Sequence, residues 1–288
     1  MNDVVCKGGT LYVVGTPLGN LNDLSSRAAG VLMNATRLYA EDTRRARVLL
    51  DHLGSSIPVR SLHEHNERAR QGEVISCLLA GDSVAIVSDA GTPAVSDPGA
   101  DLVAGVAAAG FPISPIPGPS ALATALSVAG FVASNKSVLF LGFLPQKGKA
   151  RRIVLGQIEK HFGVVVFYES PRRLKDTLLE LAEQGAARPA LIARELTKIH
   201  EELIRGSVEE LALWAGGTVR GEVTVLLGPP VKEEEDLDAR DVEINRAIGA
   251  CREAGLSARD TSVAVAAILG GRKREIYQRI NELSSSDT

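Results

Sequence analysis

Three segments of this chain share one construction, and it restricts the fold more than anything else in the sequence. In each, a short run of β-branched and aliphatic residues stops at a loop punctuated by glycine and proline, and a stretch with helical periodicity follows. Thr10–Val14 leads into Gly15-Thr16-Pro17-Leu18-Gly19-Asn20-Leu21-Asn22-Asp23, and Val84–Ser88 leads into Asp89-Ala90-Gly91-Thr92-Pro93-Ala94-Val95-Ser96-Asp97-Pro98-Gly99. A third strand ends at Pro117-Gly118-Pro119-Ser120-Ala121, ahead of an alanine-rich helix. Strand, tight loop and helix in that order make parallel α/β units, and open α/β sheets bind ligands beyond the carboxyl ends of their strands, where such loops lie. Further strands are expected at Val138–Leu141, Val164–Tyr168 and Val223–Leu227. The fold class read from this pattern is α/β.

Helix boundaries are marked by local chemistry. Asp97 before Pro98 and Ser170 before Pro171 each offer a capping oxygen ahead of a proline that needs no N–H partner at the first helical position. Gly54, Gly110, Gly130 and Gly185 are the matching stops. Apolar periodicity lapses over Phe131–Lys136, which divides an N-terminal α/β lobe, 1–132, from a second, 133–230. Two prolines and a charge run, Pro229-Pro230-Val231-Lys232-Glu233-Glu234-Glu235-Asp236, predict a linker over 231–241. Beyond it, 242–288 reads as a small helical module with a helix-turn-helix look: Val242–Glu253, Ala258–Leu269 opened by the capping-box-like Ser257-x-x-Asp260, and Arg272–Leu283.

The length of 288 residues suits two lobes and an appendage, and 45% hydrophobic with 23% charged residues is ordinary for a soluble protein. No apolar run is long enough to span a bilayer, and the first residues lack the basic start and apolar stretch of a secretory signal, so a cytoplasmic location is expected. The three cysteines, Cys6, Cys77 and Cys251, form neither a C-x-x-C pair nor a disulfide framework. With 32 Lys and Arg against 35 Asp and Glu, the net charge of -3 excludes nucleic-acid binding through bulk positive charge. Any such contact must come from local clusters, and four stand out: Arg44-Arg45-x-Arg47, Lys147-x-Lys149-x-Arg151-Arg152, Arg172-Arg173-x-Lys175 and Arg272-Lys273-Arg274. The last opens the final helix and makes the terminal module a candidate for docking a polyanionic substrate. Arg44, Arg45, Lys147, Lys149, Arg151 and Arg152 are expected to line a surface that faces a polyanion.

The glycine loops match neither the G-x-G-x-x-G of dinucleotide folds nor the G-x-x-x-x-G-K-[ST] of phosphate loops. Ser120 lacks the glycine two residues on that a hydrolase nucleophile elbow requires, and so reads as a hydrogen-bonding residue near the backbone. His63-Glu64-His65-Asn66-Glu67 does not have the spacing that aligns two imidazoles on one helical face, and no metal site is expected. The candidate acid–base residues at strand ends are Glu169 and, in Arg194-Glu195-Leu196-Thr197-Lys198, Arg194, Glu195 and Lys198.

Taken together and in this order, the segments Gly15–Asp23, Glu41-Asp42-Thr43-Arg44, His63–Glu67, Ser88–Pro93, Asp97-Pro98-Gly99, Pro117–Ser120, Gly142-Phe143-Leu144-Pro145, Phe167–Ser170 and Ala193–Lys198 closely resemble the tetrapyrrole methylase superfamily. Within it they resemble the ribosomal RNA small subunit methyltransferase I family. The resemblance implies two α/β lobes with S-adenosylmethionine folded into the cleft between them, a homodimer, and methylation of a cytidine ribose 2′-hydroxyl in small-subunit (16S) ribosomal RNA, with the assembled 30S subunit as the expected substrate. Motif matching puts Thr92, Pro93, Val95, Ser120 and Ala121 in the donor loops, with Leu18 and Tyr168 as further carry-overs; Pro17, Gly19, Asp89, Gly91 and Gly118 complete the expected donor-contacting set. Glu169, Glu195 and Lys198 are the candidates for removing the hydroxyl proton. Methylation of a tetrapyrrole ring carbon on the same fold, or RNA binding without catalysis, are the alternative readings.

Overall fold

A computed structural model describes residues 6–133, 136–184, 187–231, 234–269 and 272–286. The chain divides into two compact units, Met1–Pro230 and Val231–Thr288.

The first unit holds two five-stranded sheets. The N-terminal sheet contains β1 (Thr10–Val14), β2 (Arg37–Ala40), β3 (Val59–Ser61), β4 (Ser83–Val87) and β5 (Ile113–Ile116) in the order β3-β2-β4-β1-β5, and every pairing is parallel. All five residues of β4 are buried, as expected of a parallel strand covered on both faces. Helices α1 (Ser26–Asn34) and α2 (Thr43–Leu53) cover one face through Ala28, Val31, Leu32 and Leu50. The other face is covered by α3 (Glu67–Leu79) and α4 (Ala100–Ala108) through Val74, Leu78, Leu102 and Val106.

The second sheet is mixed. Its strands β6 (Val138–Phe143), β7 (Val164–Glu169), β8 (Pro189–Arg194), β9 (Glu202–Ser207) and β10 (Val223–Leu227) run in the order β6-β7-β10-β8-β9, with only β6 and β7 parallel. Helices α6 (Gly148–Lys160), α7 (Pro171–Glu183) and α8 (Val208–Trp214) bury Leu155, Leu174, Leu178 and Leu211 against one face. The opposite face is covered by α5 (Ala121–Ala129), whose Ala125 and Ala129 pack with Val164, Val166, Leu191 and Leu226. In sequence α5 precedes the lapse at Phe131–Lys136, yet it packs on the second sheet. Packing changes partner at the Pro117–Ser120 loop, earlier than periodicity alone places a boundary.

Two other local expectations are corrected. Asp97 and Pro98 do not open α4, which begins at Ala100 with Gly99 at its N-cap, φ 128°. Gly99 itself carries no capping side chain, and a carboxylate from another helix supplies the acceptor, as described below. The charge run after Pro230 is not irregular throughout either, because α9 spans Glu234–Glu253. Glu, Asp, Ala and Arg run on from Glu234 to Ile248 without proline or glycine, so the residue types permit helix where charge alone suggested linker. Ser170 and Pro171 do start α7, and Gly54 and Gly130 end α2 and α5 in the left-handed region. The stop assigned to Gly185 lies outside the described residues.

The second unit consists of α9, α10 (Ala258–Leu269) and α11 (Lys273–Ser286) around Ile248, Val265, Ile276 and Ile280. The Ser257 hydroxyl accepts the Asp260 backbone N–H at 3.2 Å and donates to its carboxylate at 2.6 Å, so the box read from sequence caps α10. Among the described residues no helix is long and apolar enough to cross a membrane.

Candidate active site

The three glycine loops leave the ends of β1, β4 and β5, which are adjacent in the sheet order, and parallel pairing puts all three at one edge. They are bound to each other there. Thr16 and Gly91 exchange backbone hydrogen bonds of 2.8 and 3.0 Å, and the Thr92 hydroxyl donates to Pro119 O at 3.3 Å. Gly15 and Gly118 touch backbone to backbone, so a Cβ on Gly118 would come 2.6 Å from Gly15 O. Gly91 has φ +83°, a conformation that glycine adopts without strain.

Between these loops and the ends of β7, β8 and β10 lies a cleft of about 460 Å³. Nine of the residues expected from sequence line it: Leu18, Asp89, Gly91, Thr92, Val95, Ser120, Ala121, Tyr168 and Glu169. Glu41, Arg45, Asp97, Phe143, Leu196 and Gly221–Thr224 are among the others. Pro17, Gly19, Pro93, Gly118, Glu195 and Lys198 do not line it. Pro93 is buried within its loop, and Gly118 spends its missing side chain on contact with Gly15. The Lys198 stem lies over Gly19, where a Cβ would collide with it.

The three proton-transfer candidates are each held by internal bonds. Glu169 is buried, and its carboxylate accepts from Ser170 N at 2.7 Å, Arg173 Nε at 2.7 Å and the Thr177 hydroxyl at 2.9 Å. Both oxygens are engaged in fixing the start of α7. Lys198 Nζ bridges Glu195 at 2.8 Å and Glu222 at 3.0 Å. Burial would lower its pKa, but those bonds outweigh it and hold the ammonium above its ordinary value. Glu195 resists the opposite push of its own burial and is held below the usual carboxylate range by Lys198. A cation and anion locked to each other in this way make a brace, with Glu195 itself at φ +51°.

A carboxyl that sequence reading spent on a helix cap also lies in the cleft. Asp97 lines the cleft with Glu41, Asp89 and Glu222. Burial pushes its carboxyl up to about 6, and those three carboxylates reinforce the rise against a hydrogen bond from Ser88. Glu41 is raised as well, by burial and by Asp89. Asp89 is tied down, accepting Asp42 N at 2.8 Å and facing Arg45 at 3.6 Å. The loop carrying Asp97 holds two non-glycine residues in the left-handed region, Ala94 at φ 66° and Ser96 at φ 65°, strain of a kind that gathers at functional sites. Two carboxylates beside an aspartate already capped elsewhere give no signature in a single sequence.

The basic clusters divide. Lys147, Lys149 and Arg152 are exposed around the start of α6, and Arg44 is exposed on α2 beside its ion pair with Asp42. Arg151 is not part of any surface: it is buried, donating to Glu180 at 2.7 Å, Thr177 at 3.0 Å and Pro145 O at 3.0 Å.

The tetrapyrrole (corrin/porphyrin) methylase family model matches residues 10–212 of this chain. A ribosomal RNA small subunit methyltransferase I of Mycobacterium tuberculosis is 42% identical over 276 residues, covering 94% of each chain. The protein of the same description from Thermotoga maritima is 44% identical over 220 residues, which are 76% of this chain and 98% of that one. Among solved structures, a uroporphyrin-III C-methyltransferase of Thermus thermophilus, complexed with S-adenosyl homocysteine, has a TM-score of 0.56 at 19% identity, covering 76% of this chain and 97% of its own. At that identity the likeness speaks for the fold alone.

Proposed function

The chain belongs to the tetrapyrrole methylases and, within them, to the ribosomal RNA small subunit methyltransferase I family, and from that premise we propose that it uses S-adenosylmethionine to methylate the 2′-hydroxyl of a cytidine in small-subunit ribosomal RNA. The observation that carries this reading is the cleft itself. Three adjacent loops build it, it is of a size for a nucleoside-based ligand, and five carboxylates line it. The proposal takes in the homodimeric state, the assembled 30S subunit as substrate and a cytoplasmic location, supported by the resemblance of nearly the whole sequence.

The residues present fit the donor. Gly91 leaves room for close approach of a ligand to backbone, Ser120 and Ala121 add little bulk, and Leu18 and Leu196 give an apolar wall. Glu41 and Asp89 provide a negative field of the sign that a cationic donor requires. When bound, S-adenosylmethionine supplies a methyl group already activated on a positively charged sulfur. The chain's own task is then to hold a hydroxyl in line and to receive its proton. Asp97 takes the proton in this proposal. It is in the cleft and raised toward neutrality, whereas Glu169, Glu195 and Lys198 are consumed by internal bonds. Tyr168, whose phenol is pushed up by burial, stays protonated beside it.

A tetrapyrrole carbon is the substrate of fold relatives, and the basic cluster at α6 favours RNA over it. Methyl transfer from a labelled donor, offered small ribosomal subunits and a uroporphyrinogen in parallel, separates the two. Label in the RNA supports the proposal; label in the tetrapyrrole alone refutes it.

A further inference from the structure

The strand β6 carries an irregularity that the proposed chemistry does not use. Phe140 pairs with Val166 and Phe143 with Tyr168, so three residues on β6 span what two span on β7. In a regular strand, residues three apart point to opposite faces of the sheet. The bulge cancels that alternation. Both rings reach Tyr168, at centroid separations of 5.2 Å for Phe140 and 5.4 Å for Phe143, each edge-on. Gly142 makes the bulge possible with φ +59°, and its bare Cα fits against the loop of Asp97, since a Cβ there would come 2.5 Å from Ser96 Oγ. Bulges near sites re-aim side chains.

The side chain re-aimed here is left open. Phe140 packs into the core below α5, but Phe143 is 59% exposed and lines the cleft. An aromatic ring held from behind by Tyr168, in a chain with only 4% aromatic residues, is a costly thing to leave in water. The chain around it is positively charged: from Leu139 to Ile158 there is no acidic residue, and the exposed Lys147 stands four residues on, within about 14 Å of contour. A flat apolar ring followed in the chain by exposed cations suits one kind of ligand, an unpaired base whose phosphates lie alongside.

We propose that Phe143 is the stacking platform for the base of the nucleotide whose ribose is methylated, with Lys147, Lys149 and Arg152 facing the adjacent phosphates. The inference rests on the reading of the substrate as RNA. It adds that the nucleotide enters the cleft with its base unstacked from its neighbours, so that the ring replaces the stacking that is lost.

The experiment uses the full chain as wild type, Phe143→Leu and Phe143→Trp, with calorimetric titration of S-adenosylmethionine and steady-state methyl transfer to small subunits. Leucine keeps apolar bulk and removes the π face; tryptophan keeps the π face. Phe143→Leu should raise KM for subunits roughly five- to hundredfold, the range that loss of one stacked base corresponds to. Its donor affinity should not change, and Phe143→Trp should recover most of the loss. A wild-type KM in Phe143→Leu overturns the inference. So does equal impairment of both variants, which would mark a packing role, or a loss of donor affinity in Phe143→Leu, which would put the ring under the donor. If wild type binds the donor but transfers nothing to subunits, the substrate reading fails and this inference falls with it; transfer by wild type together with a silent Phe143→Leu condemns the stacking alone.

Discussion

The carboxylate of Glu67, on α3, accepts the backbone N–H of Leu102, on α4, at 2.8 Å, and the same oxygen accepts that of Gly99 at 3.1 Å. Glu67 is buried, so one charged side chain satisfies the start of a helix that lacks a capping residue of its own. It also fixes the end of the loop that carries Asp97, two residues before Gly99. Replacing Glu67 by alanine leaves two buried N–H groups without an acceptor. Stability should fall by roughly 2–4 kcal/mol, on the scale of lost bonds to a charged group, and methyl transfer should fall further than stability explains. Urea midpoints at constant slope measure the first; an unchanged midpoint would show that the cap is dispensable.

The donor loops make a second prediction, in which two glycines fail differently. Gly91→Val forces a β-branched residue to φ +83° and puts bulk against Leu18, whose Cδ2 would be 3.3 Å from the new Cβ. The cost of strain is about 1–3 kcal/mol, and S-adenosylmethionine binding should be lost because the residue lines the cleft. Gly118→Ala instead pries its loop from Gly15, so stability should drop together with affinity. Calorimetry and thermal melting on both variants check this. Normal donor affinity in Gly91→Val would move the donor elsewhere.

The raised carboxyl of Asp97 predicts opposite effects on activity and stability. Deprotonated Asp97 is the acceptor, so kcat should climb with pH up to about 6 and level off above it. For stability the sign reverses. A carboxyl that folding raises favours the native state fully below its unfolded value near 3.9, and that advantage disappears as pH rises through 6. Asp97→Asn should therefore melt higher than wild type at pH 7–8 while losing most of its transfer rate. A variant that keeps both its rate and the pH dependence would remove Asp97 from the reaction.

Surface charge gives a fourth. Lys147, Lys149 and Arg152 are exposed, and neutralising all three should weaken binding to small subunits and flatten its dependence on salt, with donor affinity intact. Arg151, next in line, should behave otherwise. Its guanidinium is buried on Glu180, Thr177 and Pro145, and Arg151→Ala should unfold at lower temperature without changing the salt slope of the folded protein. Equal salt effects from both would erase the distinction.

What the sequence disclosed follows from the range over which each signal acts. The three strand-to-loop transitions, the glycine stops at Gly54 and Gly130, and the Ser257 cap depend on neighbours within a few residues, and they stand in the structure. Nine of the expected site residues line the cleft because they sit on those loops or at the end of β7. The contacts that the sequence did not disclose involve distant partners. Asp97 looked like a cap because the true acceptor, Glu67, is thirty residues away in another helix. Glu169 looked available because Thr177 and Arg173, which enclose it, face it only once α7 has formed. Lys198 and Glu195 looked catalytic because the third member of their bridge, Glu222, comes from the segment before β10. Arg151 and Arg152 are adjacent in sequence and cannot be told apart there, yet one turn of α6 buries the first and exposes the second.

The account stands most directly on the identity of the methylated atom. Small subunits that lack the modification, incubated with the wild-type chain and a methyl-labelled donor, can be digested to nucleosides and separated. The account predicts label in 2′-O-methylcytidine at one position of the small-subunit RNA, and far less from Asp97→Asn in the same time. Label on a base atom, on another nucleoside, or nowhere in the RNA while the donor is bound would contradict it.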